Sequence, residues 1–278
     1  VSARVLVTGA GSGLGKALAA RWARDGARVL VTDVDEAAAA AVAAELGAES
    51  LRLDVTSDES WETAIAWVMM EWQGVDVVVN NAGVGLGGRI EVVPMADWDW
   101  IIDINLKGPV RGCRAFTPLF KAQGSGHFVN VASMAAIMNL PAMGPYNVVK
   151  AGVLSLSETL RFELAPYGIG TTVVCPGFFQ TNLPDAARNP DVPEVDVARK
   201  LMAAATVTAE DVADQVVAGV AANQFLVLTH EDGRQSHEFK RAKPEAYEAQ
   251  VISFWDRLRV KVDAADAEIA AAEKQEDL

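Results

Sequence analysis

The sequence predicts an α/β fold: a three-layer, doubly wound, seven-stranded parallel sheet with helices on both faces and a helical extension at the C-terminal end. Three observations predict it. Apolar runs of strand length alternate with helical segments along the chain. A glycine-rich turn, Thr8-Gly-Ala-Gly-Ser-Gly-Leu-Gly15, separates the first apolar run from the first helical pattern. The 278 residues are 51% hydrophobic, ample for one core.

Residues 4–8 read as a short buried strand, and Lys16–Arg24 as the helix that follows, with Leu14, Leu18, Ala19 and Trp22 at apolar spacing. Strand, glycine turn and helix in this order can cradle a dinucleotide. Gly9 permits the tight turn, and Gly13 and Gly15 leave room for backbone and helix to approach a pyrophosphate. Ser12 and Leu14 complete the loop, and the helix start offers N–H groups and a positive dipole end to phosphates. The turn therefore marks the first half of a Rossmann-type fold.

A second strand, 27–32, ends at Asp33, the position from which a carboxylate can bond the adenosine ribose hydroxyls and repel a 2′-phosphate. Val34 follows it, and neither Val34 nor Ser12 is basic, so the expected cofactor is NAD rather than NADP. Leu51–Val55 reads as a third strand carrying Asp54, and 75–79 as a fourth, followed by Asn80-Asn81-Ala82-Gly83, small enough to pass beneath a nucleoside.

A fifth strand, 127–132, ends just before Ser133, and ligands of open parallel sheets bind outside such ends. A loop over 134–144 leads to Pro145, suited to a first helical turn, and to a helix over 146–166. Tyr146 and Lys150 are four apart and share a face of it. A free tyrosine titrates near 10, so a useful phenolate at neutral pH needs a shift of roughly three units, which a neighbouring ammonium and a positive nicotinamide ring would supply. Tyr146 is then a general acid/base, Ser133 a hydrogen-bond partner for the substrate oxygen, and Lys150 a group that also reaches a ribose hydroxyl. The chemistry is hydride transfer between a secondary alcohol and a ketone. An isolated Tyr-x3-Lys would instead be read as an ordinary amphipathic helix; the glycine cradle and Ser133 upstream decide against that.

With Thr8-Gly9-x3-Gly13-x-Gly15, Asn80-Asn-Ala-Gly83, Asn105, Ser133, Tyr146-x3-Lys150 and Pro176-Gly-x3-Thr181 all present, residues 4–230 resemble the short, single-domain branch of the short-chain dehydrogenase/reductase family. The resemblance implies a catalytic tetrad of Asn105, Ser133, Tyr146 and Lys150, with Asn105 holding a water that links Lys150 to a proton relay. It implies cofactor contacts from Gly9, Ser12, Gly13, Leu14, Gly15 and Asp33, from Asp54 and Val55 beside the adenine, and from Asn81, Ala82 and Gly83. Tyr146, Lys150, Pro176, Gly177, Phe179 and Thr181 complete them, Thr181 bonding the carboxamide. It also implies a homotetramer or dimer, with helices around 103–120 and 146–166 at one interface.

Further strands are expected at 170–175 and 225–229, and a capped helix from Thr208-Ala-Glu-Asp211. Residues 182–207, with Pro184, Pro190 and Pro193, are expected to form a substrate lid. Met134, Ile137, Met138, Met143, Phe178, Phe179 and Leu183 are candidate pocket walls, favouring a hydrophobic or aromatic alcohol. Residues 1–235 are assigned to the nucleotide-binding and catalytic domain and 236–278 to its extension. After a polar turn at 230–235, Tyr247, Val251, Phe254, Trp255, Leu258 and Val262 form an apolar helical stripe, expected to pack on the lid or on a neighbouring subunit. The tail from Asp263 is expected to fray.

The formal net charge of −13 argues against nucleic acid and anionic membrane partners, and against an acidic acyl carrier. Cys113 and Cys175 fit free thiols in a reducing compartment, and no apolar run reaches membrane-spanning length, so a cytoplasmic location without a secretory leader is expected. His127, His230 and His237 lack metal-ligand spacing, so no metal is expected. Two other readings compete with the alcohol dehydrogenase: a 3-oxoacyl thioester reductase, and a non-catalytic NAD-binding sensor on the same fold.

Overall fold

Valine-rich runs set the sheet. The computed structural model describes residues 2–180, 187–192, 202 and 204–276. Its strands are β1 (Arg4–Thr8), β2 (Arg28–Asp33), β3 (Glu49–Arg52), β4 (Val77–Asn80), β5 (Gly126–Val131), β6 (Ile169–Cys175) and β7 (Leu226–Leu228). They pair in the order β3-β2-β1-β4-β5-β6-β7, every neighbouring pair parallel. Parallel strands need crossovers, and helices supply them: α1 (Gly13–Arg24), α2 (Glu36–Leu46), α3 (Asp58–Glu71), α4 (Met95–Ile102), α5 (Gly108–Gln123), the short α6 (Ala135–Met138), α7 (Gly144–Leu164) and α8 (Ala209–Ala221). Two more, α9 (Glu231–Ala242) and α10 (Pro244–Glu276), form the C-terminal part.

Side-chain alternation divides the core in two. Val5, Val7, Val31 and Val129 face α1 and α8, where Leu18, Trp22 and Val216 cover them. Leu6, Leu30, Val78 and Phe128 face the opposite layer, where Trp61 of α3 and Phe116 and Phe120 of α5 close over them. The Phe120 and Phe128 ring centroids lie 4.8 Å apart in a tilted pair. Side-chain caps start the crossovers: Asp35 accepts from Ala38 N on α2, Ser57 from Ser60 N on α3, and Thr208 and Asp211 form a reciprocal capping box on α8.

The strand order reverses at β1, which has β2 on one side and β4 on the other, so a crevice opens outside their carboxyl ends. Two expectations change. The third strand is Glu49–Arg52 rather than Leu51–Val55, because Asp54 turns its carboxylate back onto the amide and hydroxyl of Thr56 and ends the ladder. The expected turn at 230–235 belongs to helix α9, whose first turn is held by Glu231 paired with Arg234 and Gln235 and whose Gly233 packs on Met134. The tail from Asp263 is part of α10, which runs to Glu276. No helix among the described residues is long and apolar enough to cross a membrane.

Phe128 is fully buried at the centre of the sheet. Phe128→Ala is expected to lower unfolding stability by about 3–5 kcal/mol. Urea titration would show this as a reduced midpoint with unchanged slope; a loss below about 1 kcal/mol would mean that the aromatic layer is not the anchor it looks to be.

Candidate active site

The crevice at the strand ends leads into a cavity of about 1160 Å³. At its first end the glycine turn is built on close contacts. Gly9 has φ +62°, and a Cβ there would stand 2.7 Å from Ala82 Cα. At Gly15 a Cβ would stand 2.1 Å from the Gly9 carbonyl oxygen, so any side chain would push α1 off the turn. Ser12, at the start of α1, makes no side-chain cap, and the first turn carries no acid. The helix N-terminus therefore presents its N–H groups to the cavity without an internal anion, as a phosphate site requires. Asp33 fixes the same loop: its carboxylate accepts from Gly11 N at 3.0 Å and Asp35 N at 3.1 Å. Gly11, which motif spacing did not single out, must be small because a Cβ would come 2.9 Å from that carboxylate.

Thr8 and Asn81 lock the two strand ends across the reversal. The Thr8 hydroxyl accepts from Asn81 N at 3.0 Å and Ala82 N at 3.1 Å, and Asn81 Nδ2 donates to Thr8 O at 2.9 Å and Gly9 O at 3.2 Å. Asp54 and Val55 line the cavity nearby, with Gly83. The hydrogen bond from the Thr56 hydroxyl holds the Asp54 carboxyl below its ordinary range. The residues present thus suit a dinucleotide: a bare helix start, a carboxylate at the end of β2 and small residues after β4.

Ser133, Tyr146 and Lys150 meet on the far side of the crevice and line the same cavity as the glycine turn. Ser133 follows β5, and its hydroxyl accepts from Ala135 N at 3.1 Å as the short α6 begins. Lys150 is buried and donates to the Val131 carbonyl at 2.9 Å. Its Nζ stands 5.6 Å from the centre of the Tyr146 ring.

In the protein alone, burial pushes the Tyr146 phenol up to about 12, the Ser133 hydroxyl pulling the other way, and burial pushes the Lys150 ammonium down to about 8. The lowered phenol expected from an adjacent ammonium together with a positive nicotinamide ring is a property of the cofactor-loaded protein; from these side chains alone burial is the larger effect on Tyr146.

Asn105 sits in a π-helical turn, Asp103–Lys107, between α4 and α5. Such turns redirect a side chain within an otherwise regular helix. Its Nδ2 donates to Val84 O and its Oδ1 accepts from Val84 N, both at 2.8 Å. The side chain thus holds the chain after Gly83.

Pro176, Gly177 and Phe179 line the cavity after β6; Thr181 and Leu183 lie outside the described residues. Met134, Met138, Met143 and Phe178 also line it, and Ile137 packs in the cluster that Met134 forms with Val153 and Val173. Sequence reasoning missed three contributors. Trp100 of α4 and Arg188 line the substrate end, the guanidinium stacked 3.9 Å from the indole centre. Asp232, Gly233 and Ser236 bring α9 to the wall. His230 holds the loop after β6: its Nδ1 accepts from Gly177 N at 3.1 Å, which leaves Nε2–H to donate to Phe178 O at 3.0 Å.

Residues 3–191 match the short chain dehydrogenase family. The chain belongs to that family. It is 35% identical over 263 residues, 90% of its length, to a probable oxidoreductase, EphD, of Mycobacterium tuberculosis, and spans 42% of the length of that relative. Among solved structures, a short chain dehydrogenase/reductase from Burkholderia phymatum in complex with NAD superposes with a TM-score of 0.82 at 31% identity, covering 88% of this chain and 95% of that one. A 3-ketoacyl-(acyl-carrier-protein) reductase from Brucella melitensis, complexed with NADH, superposes at 0.73 with 28% identity, covering 81% and 96%.

The depressed Lys150 has a stability signature. Below pH 8 both folded and unfolded chains carry its proton, and the cost of burying the charge, about 3 kcal/mol, is fully present. Between pH 8 and the unfolded value near 10.4 the folded chain holds fewer protons, so stability rises with pH. Lys150→Met is expected to be the more stable protein at pH 7, with the gap closing toward pH 10; urea titrations at stepped pH measure it. A gap independent of pH would contradict the burial argument.

Proposed function

We propose that this short chain dehydrogenase interconverts a secondary alcohol and a ketone with NAD, Tyr146 acting as general acid/base. The observation that carries the reading is the convergence of Ser133, Tyr146 and Lys150 on the cavity that the glycine turn also lines. The NAD complex of the Burkholderia relative supports a nicotinamide cofactor, which when bound supplies the hydride acceptor or donor.

In this reading Ser133 holds the substrate oxygen by a hydrogen bond and Tyr146 exchanges its proton with that oxygen. A phenol protonated at neutral pH is suited to donate to a ketone. Alcohol oxidation needs the phenolate, whose fraction rises about tenfold per pH unit below its pKa. The positive charge of a protonated Lys150 favours that phenolate, so the two groups work as a pair. Asn105 holds the chain at Val84, and His230 the loop at Gly177 and Phe178, so that neither wall drifts from the reacting oxygen.

The substrate end is walled by Met134, Met138, Leu140, Met143, Trp100 and Phe178, which favours an apolar or aromatic substituent on the alcohol. Asp33 supports NAD over NADP, since a 2′-phosphate would bring negative charge against a carboxylate already fixed by two backbone N–H groups. The Brucella relative favours a second reading, reduction of a 3-oxoacyl thioester.

One kinetic comparison tests these claims. On a panel of aromatic and aliphatic secondary alcohols with NAD, Tyr146→Phe is expected to lose at least about a hundredfold in kcat/KM. The wild-type oxidation rate is expected to climb with pH, while the reduction rate stays level until the phenol titrates. Equal turnover by both proteins would defeat the proton-transfer role. A higher kcat/KM with NADP than with NAD would overturn the Asp33 argument, and NADPH-dependent turnover of a 3-oxoacyl-CoA, with no alcohol oxidised, would install the second reading.

A further inference from the structure

Resting on that reading of the substrate end, we infer that Arg89 is a positioning residue: it clasps the chain segment 187–192 over the cavity by gripping Asp191 and, on the C-terminal helix, Asp266. Ala187, Arg188 and Asn189 of this segment line the cavity, and backbone bonds from Gly87 N to Arg188 O (3.1 Å) and Arg188 N to Gly85 O (3.0 Å) lay it beside the chain after β4. Those two bonds alone would leave its far end loose.

Arg89 completes the attachment. Its Nε and Nη2 meet the Asp191 carboxylate at 2.9 and 2.7 Å, and its own backbone N–H donates to Asp191 Oδ2 at 2.7 Å. The other edge of the guanidinium meets Asp266 through Nη1 at 2.7 Å and Nη2 at 3.0 Å. One planar cation thus joins its own segment to two parts of the chain that lie 102 and 177 residues from it. The Asp191 side chain is 0% exposed, whereas Asp266 is 45% exposed. A buried carboxylate must be paired, so Asp191 depends on Arg89; the Asp266 contact is the adjustable one.

An apolar contact lies beneath the ion pairs. Val192, next to Asp191, packs on Val262 of α10, with Ala142, Leu258 and Ala265 around them. Ala142 belongs to the loop before Tyr146, and its carbonyl accepts from Gly88 N at 2.8 Å. The stripe on α10 therefore has a role: it seats the helix so that Asp266 reaches Arg89. Removing Asp266 should loosen the segment without touching the cofactor half or the sheet.

Hydrogen exchange on the cofactor-free protein, read beside steady-state kinetics, tests this. Asp266→Ala is expected to speed amide exchange across 187–192 by up to about fivefold, the range of a partly exposed ion pair, while peptides from β4 and β5 keep the wild-type rate. The KM of a turned-over alcohol is expected to rise by a similar factor with the KM for NAD unchanged. Arg89→Lys, which retains charge but loses the fork, should move both readouts the same way. Unchanged exchange at 187–192 in Asp266→Ala overturns the clasp, as does an equal increase in every peptide. The exchange arm needs no turnover, so it decides the clasp even if the alcohol–ketone reading fails.

Discussion

Lys150 governs the geometry of this protein. Its ammonium is buried among apolar neighbours, and among the described residues its hydrogen-bond partner is the Val131 carbonyl at the end of β5. That bond ties α7 to the sheet at the point where the crevice opens, and so fixes where Tyr146, one turn earlier, can stand. A buried charge with one neutral partner is costly. Its depressed affinity for a proton is the visible consequence. Such a cost is tolerable where a ligand brings further partners, and the neighbouring cavity, with Ser133 and the glycine turn on its walls, is where a ligand would bring them.

Around this point the protein spends polar side chains on its own backbone. Asn81 spans the ends of β1 and β4, Asn105 holds Val84, and His230 holds Gly177 and Phe178. A second ladder runs inside the sheet: Asn80 Nδ2 donates to Asn130 Oδ1 at 2.8 Å, and Asn130 Nδ2 to the Ser157 hydroxyl at 3.0 Å, joining β4, β5 and α7. Buried amides that bond across elements hold those elements together. The loops carrying the candidate site are thereby fixed to the sheet before any ligand arrives.

What was legible in the sequence was local. Strand, glycine turn and helix occupy residues 4–24 without interruption, and Ser133, Tyr146 and Lys150 follow one strand end within eighteen residues, so spacing alone placed them together. What was hidden is pairwise and distant. Arg89 with Asp191 and Asp266, or His230 with Gly177, join residues with no shared periodicity. Residues 230–235 read as a turn because they are polar and contain Gly233, yet that glycine lies in a helix where it packs closely on Met134. The third strand was placed two residues late because Asp54 sits in an apolar run, and only its bond to Thr56 reveals the turn. Sequence likewise shows that an ammonium is four residues from Tyr146, but not that it bonds the Val131 carbonyl.

The central claim is that the Tyr146 hydroxyl and the reactive carbon of a nicotinamide share one substrate. A crystal structure of the protein with NAD and a substrate alcohol measures this directly. The account predicts the alcohol oxygen about 3 Å from the Tyr146 hydroxyl, and its carbon about 3–3.5 Å from the ring's reactive carbon. A nicotinamide lying elsewhere, with Tyr146 facing only protein, would contradict it.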